Sequence, residues 1–177
     1  MVLEGFATSF LFSMGVMSWQ DSLHVSDSTR STSLRSTSVV SSIGVTGLKT
    51  NLDTEYALSF HLFAGKAQGA NAKSAAGSDL EYSASGIDVL GAALAPQYSY
   101  RLAEGVFIGA GVPVVFRRAA YPAVSGTSYS LDSRFKILAG FDLSTRIERG
   151  DFFLGQRVGF LQLPNSFSWG VELGWRF

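Results

Sequence analysis

The chain ends on an unbroken alternation. Phe167, Trp169, Val171, Leu173, Trp175 and Phe177 are large and apolar, and between them stand Ser168, Gly170, Glu172, Gly174 and Arg176. Period two places successive side chains on opposite faces of a β-strand. One face of this strand is therefore wholly apolar and aromatic at both ends, while the other carries charge. A half-buried strand of a soluble domain would keep its apolar face inside. Aromatic residues at both ends of an apolar band fit instead the two interfaces of a bilayer, so the polar face is read as the inward one.

The same alternation recovers seven further strands. Residues 5–19 set Phe6, Phe10, Phe12, Met14 and Val16 outward against Ala7, Ser9, Ser13 and Gly15, whereas 35–48 is Ser-rich and leaves either facing open. Residues 54–65 send out Tyr56, Leu58, Phe60 and Leu62 against Glu55, Ser59 and His61; residues 82–100 send out Leu90, Ala92, Leu94 and Tyr98. In 106–118, Val106, Ile108, Val112, Val114 and Phe116 oppose Gly109 and Gly111. In 129–148, Phe135, Ile137, Phe141, Leu143 and Ile147 oppose Arg134, Lys136, Asp142 and Arg146, and 152–163 is the seventh strand. Links after the second, fourth and sixth strands are short, around Asn51, Ala103 and Arg149 to Gly150. Those after the first and third are long, the one after the fifth is intermediate, and the link at Pro164 and Asn165 departs from the pattern. An even strand number with short turns at one end and longer loops at the other is the layout of membrane barrels, and it places both termini on the periplasmic side. The expected fold is all-β: a single domain, 1–177, forming an eight-stranded antiparallel up-and-down transmembrane β-barrel.

Physical chemistry requires such a sheet to close, because hydrocarbon offers no partner to the backbone groups of an open edge. A spanning strand needs about 9–11 residues when tilted, and each segment meets that length. Eight strands leave an interior that side chains fill, so an open diffusion channel is not expected. Composition agrees, with 19 Gly against 4 Pro and only 16% charged residues. The formal charge is zero, which gives no basic footprint for nucleic acid. Without a single Cys, disulfides, thiolate metal sites and an N-terminal lipid-bearing Cys are excluded. The uncharged run 5–19 follows an acidic Glu4 and is shorter than the roughly 18 apolar residues of a spanning helix. It reads as a strand, and any export signal is expected to have been removed.

With these residues in view, the chain resembles the small eight-stranded outer-membrane barrel proteins of Gram-negative bacteria. Val171, Leu173, Trp175 and the terminal Phe177 are similar to the signal those proteins present to the barrel-assembly machinery. The resemblance implies an integral outer-membrane protein, monomeric, with lipids, lipopolysaccharide and that machinery as partners.

Four candidate sites remain. Some barrels of this size act on lipid A through a His and a Ser oriented by an acid, and only His24 and His61 are available. Ser59 shares a face with His61, but a satisfied interior His is the stronger reading; His24 sits among Ser22, Ser26 and Asp27 in a stretch, 20–34, read as a solvated loop. The second site is a basic rim of Lys66, Arg117, Arg118, Arg134 and Lys136, which suits lipopolysaccharide phosphates because a guanidinium fork binds them bidentately. The third comprises two aromatic girdles, with Tyr56, Tyr98, Tyr100, Phe152 and Trp175 at the turn end and Trp19, Phe116, Phe135 and Trp169 at the other. The fourth is an interior charge ladder. If Glu148 faces Asp151 and Leu163 faces Ser166, Arg157 lies directly opposite both Asp142 and Glu172. No phosphate-cradling loop, metal cluster or nucleophile elbow occurs, so no cofactor and no catalytic residue is assigned. A structural or surface-interaction barrel is favoured over a lipid A-modifying enzyme or a small pore.

Overall fold

A computed structural model describes residues 7–26, 31–73, 79–82, 89–119, 135–161 and 166–177, with side chains described for 8–20, 37–66, 89–119, 135–161 and 166–177. Ten strand segments follow one another: β1 (Ala7–Ser26), β2 (Ser31–Asn51), β3 (Thr54–Lys73), β4 (Asp79–Tyr82), β5 (Val89–Ala103), β6 (Val106–Gly111), β7 (Val114–Ala119), β8 (Phe135–Arg149), β9 (Phe152–Leu161) and β10 (Phe167–Arg176). All pairings are antiparallel, and β1 pairs with β10 as well as with β2, so the sheet closes. Segments β4 and β5 both pair with β3, while β6 and β7 both lie between β5 and β8, giving eight walls.

The division between β6 and β7 is chemical and not a change of register. Gln97 faces Gly111 and Leu94 faces Val114, so the pairing count is the same on both sides. At the gap Val112 N–H donates to the Pro96 carbonyl at 3.1 Å and Gly140 N–H donates to the Pro113 carbonyl at 3.0 Å. Each pair lacks its return bond because proline has no N–H to give.

Facing follows parity throughout the wall. Leu173, Leu143, Leu90, Phe10, Met14 and many more large apolar residues are exposed on the exterior, an apolar surface far beyond the few hundred Å² that a soluble monomer shows. The barrel is thus a membrane-spanning one. Strand β2, undecided from sequence, turns Val39, Ile43 and Val45 outward and buries Ser38, Val40, Ser42, Thr46 and Leu48. Of the nine girdle residues expected, Trp19 is the exception. It shares the parity of Leu11 and Ser13, is 2% exposed, and meets Phe63 edge-on at 5.4 Å inside the barrel. On the exterior, the turn-end girdle is consolidated by Tyr56 against Tyr98 at 5.2 Å and by Trp175 against Phe12 at 5.0 Å.

Tight turns hold one rim. Asn51 pairs with Thr54 and Arg149 with Phe152, leaving two residues in each turn. Gly105 and Gly150 take positive φ there, where a missing Cβ removes the steric penalty. Leu52 adopts the same region at φ 49° and is 75% exposed.

The opposite rim corrects the sequence reading. Residues 20–34 are largely strand, with Gln20 facing Thr37 and the pairing running on to Ser26 opposite Ser31; β3 likewise continues to Lys73. Strand β10 reaches only Ser168 opposite Trp19. Beyond that level, among the described residues, β1, β2, β3 and the short β4 continue the sheet. The Ser and Thr content that reads as a loop is compatible with strand pairing, Thr being enriched in strands.

Candidate functional site: the lumen and its rims

Large interior side chains are seated against glycines on the adjoining strand. His61 faces Gly44, Phe63 faces Gly91, and Asp142 lies between Gly111 and Gly159. Glu172 lies between Gly15 and Gly155, Arg157 faces Gly170, and Phe153 faces Gly174. A methyl group at Gly44 would collide with the His61 ring, and one at Gly155 with the Glu172 side chain. An eight-stranded interior is narrow, and a bulky group enters it only where the next wall gives way.

From the turn end upward, the lumen is layered. A charged quartet comes first. Glu55 of β3, 1% exposed, accepts from Arg146 of β8 and from Arg176 of β10, the latter at 3.1 Å. Glu148 accepts from Arg176 at 2.9 Å and is ion-paired with Arg146 at 2.7 Å. Thr50 donates to Glu55 at 3.2 Å, and the Arg146 guanidinium lies 4.4 Å from the Phe107 ring centre. Two acids and two bases close a ring of ion pairs that crosses the lumen, since β3 is not a neighbour of β8 or β10. Nearby Leu11, Leu48, Ala57 and Phe153 form a small apolar cluster. The middle holds His61, Asp142, Arg157 and Glu172. Toward the projecting sheet a larger apolar septum follows, built by Trp19, Val40, Phe63, Val115, Leu138 and Leu161 with neighbours from seven of the walls.

The ladder geometry expected from the turns is shifted by two residues on both seams. Asp142 faces Gly159 and Arg157 faces Ser144 on one side; Arg157 faces Gly170 and Glu172 faces Gly155 on the other. The β8–β9 turn holds two residues as counted but sits one residue further along, at Gly150 and Asp151, with Arg149 opposite Phe152. A shift of two preserves which face is inward, whereas a shift of one would have reversed it. Diagonal reach keeps one contact, Arg157 to Glu172 at 3.0 Å. Among the described residues Asp142 has no such partner, and its Oδ1 is buried without a hydrogen bond to any of them.

The basic rim separates on inspection. Arg118 is exposed on the outer face, two residues beyond Phe116, and Lys66 is also exposed. Arg117 is 1% exposed inside the lumen, opposite the half-buried Lys136; strand parity turns both away from the lipid. Arg134 lies outside the described residues, as does the His24 side chain. Ser59 and His61 are both buried, but the Ser59 hydroxyl accepts from Thr46 at 2.9 Å, and both ring nitrogens of His61 lack a hydrogen-bond partner. No His–Ser pair is assembled there. Sequence reasoning missed the quartet, although parity had placed Glu55, Arg146 and Arg176 on inward faces. Contacts across a closed lumen have no signature in strand periodicity. Val171, Leu173, Trp175 and Phe177, expected from sequence to form an assembly signal, all point outward and are exposed.

No protein-family model matches the sequence, and no curated protein matches it. Among solved structures, Ail, the attachment invasion locus protein of Yersinia pestis, in complex with the heparin analogue sucrose octasulfate, superposes with a TM-score of 0.52 at 14% identity, over 96% of this chain and 99% of that one. Neisserial surface protein A superposes with a TM-score of 0.46 at 15% identity, over 96% of this chain and 97% of that one. With its closed sheet and lipid-facing belt, the chain is an integral barrel with the fold of the small eight-stranded proteins of the Gram-negative outer membrane.

Proposed function

We propose that the protein is a plugged surface barrel, with both termini periplasmic, that binds partners through the sheet projecting beyond its outer rim. The observation that carries this reading is an uncovered strand edge. Phe10 and Phe177 exchange both backbone hydrogen bonds at 3.0 Å, so even-numbered residues of β1 aim their N–H groups toward β10. Alternation continues past Trp19, where the pairing with β10 stops. The N–H groups of Ser22, His24 and Ser26 therefore face an edge that no described strand occupies. Such an edge is a template for an extended peptide, which gains main-chain hydrogen bonds by adding as a further strand. The occupant we favour is an exposed, extended segment of a surface protein.

Lipopolysaccharide is a second partner, supported by a narrower set of residues than the sequence indicated. Arg118 on the outer face, above the Phe116 ring, suits a lipid phosphate; Arg117 and Lys136 face the lumen instead. The layered lumen argues against a pore, and the engagement of Ser59 by Thr46 argues against a lipid A hydrolase at His61.

Selection of extended peptides on the barrel in lipid nanodiscs, followed by hydrogen exchange, tests the reading. Bound peptide is expected to protect the amides of Ser22, His24 and Ser26, and His24→Pro should abolish binding by removing a donor from the edge. Binding that survives His24→Pro would move the site to the loops. Unitary conductance steps of the wild-type protein in planar bilayers would end the plugged reading.

A further inference from the structure

Among the described residues, three that carry buried polar atoms without a protein partner line one cavity. A cavity of about 60 Å³ lies at mid-lumen beneath the apolar septum, lined by Trp19, His61, Asp142 and Arg157 among others. The indole Nε1 of Trp19, both ring nitrogens of His61 and Oδ1 of Asp142 are buried with no hydrogen-bond partner. Their residues are 2%, 5% and 6% exposed. Buried polar groups in folded proteins are almost always bonded, to protein or to ordered water, and an unmet one carries its full desolvation cost.

We propose that ordered water occupies this cavity as a fixed part of the barrel, joining the Trp19 indole to the His61 ring and the Asp142 carboxylate. The lining explains the choice of occupant. The Trp19 indole only donates, the free Asp142 carboxyl oxygen can accept, and an imidazole ring carries two polar nitrogens; water both donates and accepts and can satisfy all three. A cation would meet the Arg157 guanidinium and an anion the Asp142 carboxylate. One water needs about 10–15 Å³ of such space, so the cavity holds a few waters and is too small for a sugar or an acyl chain. Glycines set the geometry, because Gly44 seats the His61 ring while Gly111 and Gly159 let Asp142 lie against the wall. The site is independent of the strand edge, and either can fail without the other.

The test uses the folded chain with ¹⁵N-labelled tryptophan in detergent micelles. Its three tryptophans are well placed, since Trp169 and Trp175 lie on the exterior and only Trp19 is inside. Dipolar transfer from water to the Trp19 indole proton is expected, separated from proton exchange by comparing laboratory-frame and rotating-frame spectra. Trp19→Phe assigns the resonance by its loss. His61→Leu should abolish the transfer by removing the water's polar partner while leaving the wall of similar bulk. If that variant does not fold, Ala95→Val, at a buried position lining the same cavity, takes its place. A Trp19 resonance that receives nothing from water would mean a dry cavity and overturn the proposal. Transfer that persists undiminished in either variant would place the water elsewhere and overturn it too. A signal that changes when chloride or sodium is exchanged for a bulky ion would make the occupant an ion, and the assignment to water would fall.

Discussion

The two ends of one lumen are stopped by opposite chemistries. At the turn end, Glu55, Glu148, Arg146 and Arg176 span the barrel as a ring of ion pairs; toward the projecting sheet, Trp19, Phe63, Leu138 and Leu161 fill the same width with apolar bulk. The two ends differ in how they tolerate loss. Removing one member of a buried ion-pair ring leaves charges without partners, a penalty that exceeds the worth of the ring itself. Removing one apolar side chain leaves a void whose cost depends on how far the neighbours relax.

Glu55→Leu should expose that difference most strongly, because it strips Arg146 and Arg176 of a shared acceptor. A loss of about 3–5 kcal/mol is expected, read from the urea midpoint of the barrel refolded in vesicles. Replacing all four charged residues with apolar ones of similar volume should cost far less; a quadruple variant no more stable than Glu55→Leu would break the comparison. At the other stopper, Leu138→Ala is expected to cost about 2–5 kcal/mol, and the loss should be indifferent to salt. Marked ionic-strength dependence would show that charges also hold that end. Between the stoppers, Gly44→Ala should cost about 1–3 kcal/mol by crowding the His61 ring. Most of that cost should vanish in a background carrying His61→Ala, and additive losses in the double-mutant cycle would refute the contact. The smallest effect is a gain outside the lumen. Leu52→Gly relieves a left-handed backbone at φ 49° and should stabilise the barrel by about 1 kcal/mol, visible as a raised midpoint with unchanged slope.

The wall was legible in the sequence wherever one face meets hydrocarbon. Phe135 to Ile147 and Phe167 to Phe177 alternate because lipid selects every second residue. Strand β2 was not, since Val39 and Val40 put similar apolar groups on both faces and Ser occurs on each. Extension of β1 and β2 past Trp19 escaped for a related reason, because the Ser- and Thr-rich stretch 20–34 carries no sustained apolar alternation to read. Turn composition located the β8–β9 hairpin and its two residues but not its exact place, and a one-residue displacement of the turn moved the register by two, taking Asp142 from Arg157 to Gly159 while leaving every facing intact. Trp19 was misplaced by its nearness to a strand end, although its parity with Leu11 and Ser13 already pointed inward. The quartet depends on closure, and pairings across a lumen are invisible to any strand taken alone.

The seating of bulky interior groups on glycines also bears on how such a chain can diverge. Gly44 and His61, or Gly174 and Phe153, share one volume from two strands, so neither position drifts freely. Enlarging the glycine first is penalised until its neighbour shrinks, whereas shrinking the neighbour first opens a gap that the glycine can then grow into. Substitution at these pairs is thus expected to be ordered in time, large to small before small to large. Lipid-facing positions such as Leu173, each bounded by a fluid, should exchange one apolar residue for another independently of their neighbours.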